Sequence, residues 1–171
     1  MNHRDTETQR GSQRAPVPDA VNEISGAVVD AAFQVHETLG PGLLESVYEQ
    51  CLEYELSNRG FDVQRQVQVP LQYNELQFDC GFRIDLLVNG AVVVELKAVE
   101  SILPVHRAQI LTYLKITGLR VGLLINFNRA KIKNGIERLV LRERPEPTGP
   151  YDAMAGEKPL CDSVPLCASV V

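Results

Sequence analysis

No stretch of this chain is long and apolar enough to span a bilayer, which takes about 20 consecutive apolar residues. The N-terminus is polar, without the apolar core of a signal peptide. A cytoplasmic protein with no membrane partner is the expectation. The four cysteines, Cys51, Cys80, Cys161 and Cys167, lack any paired metal-ligand spacing, and they read as thiols in a reducing compartment. The three histidines, His3, His36 and His106, are too scattered for a zinc site. Positive charge is also short, with 17 Lys and Arg against 22 Asp and Glu and a net charge of −5. A protein that coats nucleic acid carries a basic excess, so that class is disfavoured. An enzyme whose acidic site needs a metal before phosphate can approach is not. Internal repeats are absent.

What the chain does have is an unusual hairpin between Arg83 and Lys97. Aspartate, glutamate and lysine are depleted in strands, yet Asp85, Glu95 and Lys97 stand within an otherwise apolar pair. Val88-Asn89-Gly90-Ala91 is the turn signal. A two-residue turn at Asn89-Gly90 would put Asp85 and Glu95 on opposite faces. A three-residue loop, Val88-Asn89-Gly90, would set Asp85 opposite Val93 and Arg83 opposite Glu95. Asp85, Glu95 and Lys97 would then share one face, and Phe82, Ile84, Leu86, Val92, Val94 and Leu96 the other. Pattern and chemistry choose the same register, so a three-residue turn is predicted.

Two carboxylates on one face suit Mg²⁺, or Mn²⁺ in its place, which takes oxygen ligands and keeps several waters. The Leu96 carbonyl would add a third oxygen. Without a cation, two carboxylates about 4 Å apart repel by roughly 4 kcal/mol at an effective dielectric of 20. Lys97 would orient a metal-activated water or offset charge on a phosphate. The competing reading is a salt-bridge network on an exposed sheet face, with Arg83 and Lys97 neutralising the acids.

The rest of the chain reads as a mixed sheet flanked by helices. Residues 1–20 are polar with Pro16 and Pro18 and are expected to be disordered. Helical spacing runs from Val21 to Leu39, stopped by Gly40-Pro41-Gly42. A second helix follows, with Leu43, Leu44, Val47, Tyr48, Cys51, Leu52 and Leu56 on its apolar stripe and Gly60 as its cap. A strand from Val63 should end at Pro70, and a short hairpin turn near Tyr73-Asn74-Glu75 should precede the acidic hairpin. Pro104 opens a helix that ends at Gly118. Val121–Phe127 is apolar throughout, as in a strand covered on both faces. Residues 131–142 fit either a short helix or an edge strand. The domain is placed at 21–142, followed by a Pro-rich, disordered tail at 143–171.

Several polar features stand out. Gln109 and Tyr113 share a helix face, with His106 on the same side; such a stripe can hold a phosphate or simply face solvent. Glu45 and Tyr48 also share a face. Glu45 lies in a first turn, where the helix dipole favours an acid, and Tyr48 fits core packing equally well. Arg129, Lys131, Lys133, Arg138 and Arg142 form a late basic cluster, a phosphate track or a solvated face.

Gly42, Glu45 and Tyr48, together with Glu95-Leu96-Lys97 and the Pro104–Asn126 unit, resemble the GxxExxY protein family, a branch of the PD-(D/E)XK nuclease superfamily. The resemblance runs from about Ile24 to Val140. It implies an α/β, restriction-endonuclease-like core and metal-dependent phosphodiester hydrolysis of nucleic acid, with DNA the expected partner. Asp85, Glu95 and Lys97 match the catalytic set, and Glu45 matches the acid contributed by the first core helix, giving Glu45, Asp85 and Glu95 as metal ligands. Gln109 and Tyr113 resemble the Gln-x-x-x-Tyr motif of exonuclease-like branches. Ile84 stands where the superfamily often has proline. A non-catalytic nuclease-fold protein that binds nucleic acid or a protein partner is the alternative, and a homo-oligomer is left open.

Overall fold

The computed structural model describes residues 16–141. Residues 1–15 and 142–171 lie outside the described residues, and with them most of the expected N-terminal extension and the expected Pro-rich tail. The elements are α1 (Asp19–Leu39), α2 (Glu45–Asn58), β1 (Val63–Tyr73), β2 (Leu76–Val88), β3 (Val92–Lys97), α3 (Pro104–Thr117), β4 (Val121–Asn126) and β5 (Ile136–Val140). A single 3₁₀ turn, Ile132–Asn134, precedes β5. No helix among the described residues is long and apolar enough to cross a membrane.

The strands form one mixed sheet in the order β1-β2-β3-β4-β5. Neighbours are antiparallel except β3 and β4, which run parallel and are joined by α3. Both sheet faces are covered. Val28, Ala31, Tyr48 and Leu52 of α1 and α2 pack on Leu86, Val94, Leu123 and Ile125. On the opposite face, Ile110, Tyr113 and Leu114 of α3 pack on Ile84, Leu87, Val93 and Leu124. All six residues of β4 are buried, which explains its unbroken apolar run. The open choice for residues 131–142 resolves into a turn and an edge strand.

Helix ends follow the glycine punctuation. Gly60 takes φ 85°; its N–H donates to the Ser57 carbonyl and the Phe61 N–H to the Leu56 carbonyl, the paired bonds of a Schellman cap. Gly118 at φ 69° ends α3.

Five expectations need correction. The chain is already helical from Asp19, two residues inside the expected extension. The apolar stripe of α2 is narrower than expected. Leu43, Leu44 and Val47 are exposed, and Tyr48, Glu49, Leu52 and Leu56 are the buried set. The helix is turned so that its acidic first turns, not its leading leucines, face the sheet. Strand β1 does not stop at Pro70 but continues to Tyr73 across a register shift between Val69 and Leu71. It is an edge strand, where proline leaves no ladder donor missing.

The acidic hairpin does have a three-residue connection, but it is Asn89-Gly90-Ala91. The ladder pairs Val88 with Val92, Leu87 with Val93 and Leu86 with Val94, so Leu87, not Asp85, stands opposite Val93. Val88 is fully buried, and burial holds it in the strand rather than the loop. Asn89 and Gly90 sit at φ 50° and 60°, the left-handed pair that an Asn-Gly turn supplies, and Ala91 is the extra residue. The shift is by two residues, so side-chain parity is kept over the paired rungs from Leu86 to Val88. The apolar partition also differs from expectation. Leu86, Val92, Val94 and Leu96 face α1 and α2, but Ile84 and Phe82 pack with α3. Strand β2 changes face between Ile84 and Leu86, at Asp85.

The turn is anchored to the start of β1. The Asn89 N–H donates to the Asp62 carbonyl at 2.7 Å, and the Asp62 N–H donates to Asn89 Oδ1 at 2.8 Å. Asn89→Ala should destabilise the fold by about 2 kcal/mol, the sum of a left-handed Cβ penalty and a lost hydrogen bond. Asn89→Gly should cost less than Asn89→Ala, since glycine adopts φ 50° freely. Urea midpoints at unchanged m-value measure both.

Candidate active site

Asp85 occupies an opening between β2 and β3. The backbone ladder between these strands ends at Leu86 and Val94. Beyond it the Leu96 N–H donates to Asp85 Oδ2 at 2.8 Å. A side chain replaces the next rung, and β2 parts from β3 there. Within a strand a residue's N–H and C=O point the same way, so the Leu96 carbonyl faces the same opening.

Glu95 stands beside it, 1 % exposed. Lys97 Nζ donates to Glu95 Oε1 at 2.5 Å, while Glu95 Oε2 is buried with no hydrogen-bond partner. An unpaired carboxylate oxygen in a protein interior is costly and calls for an explanation. Burial, then repulsion from Asp85, pushes the Glu95 pKa up to about 7, against the pull of Lys97. Burial also raises Asp85; the Leu96 N–H and the Lys97 charge oppose this, and Glu49 and Glu45 add to it. Burial works to lower Lys97, but its bond to Glu95 and the charges of Glu95, Asp85 and Glu45 outweigh that and raise it. The exposed salt-bridge reading of the hairpin therefore does not apply: Glu95 is buried and incompletely paired, and Asp85 and Lys97 are half-buried beside it.

Glu45 reaches the same end of the sheet from α2. Its Oε1 accepts the Ala98 N–H at 2.9 Å, directly after Lys97. The loop before α2 is tied down by Tyr48, whose hydroxyl donates to the Gly40 carbonyl at 2.7 Å and accepts the Leu43 N–H at 3.1 Å. The Tyr48 ring is fully buried and stacks on Phe127 at 4.3 Å. Gly42 in that loop takes φ 102°, where a side chain would be strained.

On the other face, Gln109 Nε2 donates to the Tyr113 hydroxyl at 2.7 Å, and that hydroxyl donates to the Arg83 carbonyl at 3.0 Å. The pair thus grips β2 two residues before Asp85. Tyr113 is raised by burial and, more weakly, by the charges of Glu95 and Asp85, so it borders the site. His106 is engaged elsewhere: its Nδ1 accepts the Leu103 N–H at 3.2 Å and caps α3. The described late basic residues stand around the 3₁₀ turn and on β5. Arg138 donates to Asn22, Lys131 and Lys133 are exposed around the 3₁₀ turn, and Arg142 lies outside the described residues.

Three polar residues escaped the sequence reading. Asn126, fully buried, bonds both the N–H and the carbonyl of Val99 and staples the loop after β3 to the end of β4. Glu49 is 6 % exposed and bonds Arg65 and Gln66 of β1. The four-residue spacing of Glu45 and Glu49 put them on one helix face, a signal that was there to be read. Gln66 has φ 53°, and no residue type announces that in a glutamine.

Among the described residues, no three His, Cys, Asp or Glu side chains form a group able to hold an ion alone. A cation such as Mg²⁺ needs no such cage, since it is commonly held by one or two carboxylates and keeps its waters. Asp85, Glu95 with its unpartnered Oε2, and the Leu96 carbonyl fit that description. A family model described as PD-(D/E)XK nuclease superfamily matches residues 22–139. No curated protein and no solved structure matches the chain.

In the metal-free protein the folded state binds the Glu95 proton more tightly than the unfolded state does. That stabilisation is complete below 4.5 and is lost as pH rises through about 7. Asp85 acts in the same direction. Urea unfolding without divalent metal should show lower stability at pH 8 than at pH 5, by as much as ~3 kcal/mol. Glu95→Gln should remove most of the difference. An equal difference in the variant would show that Glu95 is not its source.

Proposed function

The chain belongs to the PD-(D/E)XK nuclease superfamily, and on that premise we propose that it is a divalent-metal-dependent nuclease hydrolysing phosphodiester bonds in nucleic acid, with DNA as substrate. The carrying observation is a carboxylate pair, Glu95 buried and Asp85 half-buried, with one oxygen, Glu95 Oε2, that meets no protein donor. A module that only binds has no use for a buried acid set against a second, half-buried one, which lowers its stability. This favours catalysis over the non-catalytic alternative.

In this reading Asp85 and Glu95 hold Mg²⁺, or Mn²⁺ in its place. Glu45, whose Oε1 accepts the Ala98 N–H at the same end of the sheet, would reach the ion through water. When bound, the cation polarises a phosphoryl oxygen and acidifies water. Lys97, held on the face of Glu95, orients the attacking water and offsets charge that grows on the phosphate. Gln109 and Tyr113 fix the Arg83 carbonyl and thereby the placement of Asp85, two residues further along β2. The signature positions Gly42, Glu45 and Tyr48 favour the GxxExxY branch and have a shared mechanical sense. They clamp the loop before α2 and dock that helix onto the residue following Lys97.

Full-length protein incubated with linear, nicked and single-stranded DNA and with RNA, with Mn²⁺ or with chelator, tests the assignment. Metal-dependent cleavage of DNA is expected. Asp85→Ala, Glu95→Ala and Lys97→Ala should each lower the rate by at least ~100-fold, and Tyr113→Phe by less. Cleavage that survives Glu95→Ala or Lys97→Ala would overturn the reading.

A further inference from the structure

Strand β1 carries a defect at the level of Asp85. The ladder pairs Arg65 with Leu86 and Val67 with Ile84, so Gln66 stands opposite Asp85. Gln66 is left-handed at φ 53°, a conformation that is unfavourable for a residue with a Cβ and persists only where the surroundings enforce it. Its effect on β1 is visible on both sides. Val63 packs with the α1 and α2 cluster, whereas Val67 and Leu71 pack with the α3 cluster, although all three are an even number of residues apart. Alternation has slipped by one residue at Gln66. Strand β2 slips at the same level, with Ile84 on the α3 face and Leu86 on the other. The two strands turn over together, and Asp85 is the residue at the turnover.

One side chain bonds both residues at the slip. Glu49 Oε2 accepts from Gln66 Nε2 at 2.6 Å, and Glu49 Oε1 accepts from Arg65 Nε at 2.8 Å. Adjacent residues of a regular strand point to opposite faces, yet these two converge on one carboxylate. Arg65 is further fixed by Glu53 at 3.0 Å. Glu49 itself lies one turn beyond Glu45 on the buried face of α2.

We propose that Glu49 is a positioning residue that sets Asp85: by holding Arg65 and Gln66 on one side of β1 it maintains the paired slip of β1 and β2 that turns Asp85 into the opening beside Glu95. The inference rests on the reading of Asp85 as a metal-holding carboxylate but is tested without metal or nucleic acid. Helix α2 thereby serves the site twice, through Glu45 at the end of β3 and through Glu49 at the bend of β2.

The reporter is the Leu96 amide, which Asp85 Oδ2 holds. Hydrogen exchange is measured by NMR on the full chain, with the Leu123 amide at the centre of the sheet as the control for global opening. Glu49→Met keeps the packing volume and removes both hydrogen bonds. It should speed Leu96 exchange about tenfold, the equivalent of one lost hydrogen bond, and leave Leu123 unchanged. Adding Gln66→Gly should restore Leu96 protection, because glycine takes φ 53° without being held there. Should Glu49→Met not fold, Gln66→Val carries the same test, since a β-branched residue resists the left-handed conformation on an edge strand that tolerates change. Unchanged Leu96 exchange in the variant that folds would overturn the proposal. So would an equal rise at Leu96 and Leu123, which would make Glu49 an ordinary stabilising residue. Either result leaves the nuclease assignment to stand or fall on the cleavage assay.

Discussion

The site depends on holding two carboxyl groups side by side with little access to water, Glu95 buried and Asp85 half-buried. Asp85 and Glu95 are both raised by burial, and the Asp85 charge raises Glu95 further. Burying such a pair is unfavourable unless something compensates. The protein supplies partial compensation: the Lys97 ammonium on one oxygen of Glu95, and the Leu96 N–H on one oxygen of Asp85. It leaves Glu95 Oε2 unanswered. That imbalance is what a divalent cation would correct, and it is why the site reads as prepared for a ligand rather than as a finished ion-pair network.

Much of the surrounding architecture can be understood as holding this unfavourable arrangement in place. Parallel pairing of β3 with β4 brings Glu95 and Lys97 over the centre of the sheet. Helix α2 approaches from one face, positioned by the Tyr48 clamp and the Glu45 contact to Ala98. Helix α3 approaches from the other, with Gln109 and Tyr113 locked onto the Arg83 carbonyl. Asn126 fastens the exit of β3 to the end of β4. The left-handed Gln66 and the unmet oxygen of Glu95 both lie near the parting of β2 from β3, while apolar layers cover both faces of the sheet.

The parts of this fold governed by local rules were legible in the sequence. Gly60 and Gly118 end their helices because only glycine takes the left-handed position cheaply, and the apolar run of β4 announced burial on both faces. The three-residue connection after β2 followed from requiring Asp85 and Glu95 on one face. Its position did not, since Val88 is drawn into the strand by core burial that turn chemistry cannot see. Other features depend on tertiary contacts. Leu43 and Leu44 look like core residues in sequence but precede a helix whose acidic side faces the sheet. The switch of face at Asp85 was hidden because it comes from a left-handed glutamine on a neighbouring strand, held by a glutamate on a helix. Pattern reading assumes uninterrupted alternation, so it placed Phe82 and Ile84 on the wrong side. The irregularity lies at the residues proposed to do the chemistry, where local rules are most often overridden.

The central claim is that the Asp85–Glu95 pair is a divalent-metal site. The most direct measurement is Mn²⁺ binding to the full-length chain, followed by electron paramagnetic resonance of free and bound ion, in the absence of nucleic acid. The account predicts saturable Mn²⁺ binding that is lost or weakened at least ~10-fold in both Asp85→Asn and Glu95→Gln. It also predicts that binding strengthens as pH rises through about 7, because Glu95 must give up its proton to bind. Mn²⁺ binding of the same strength in wild type and in both variants would contradict it.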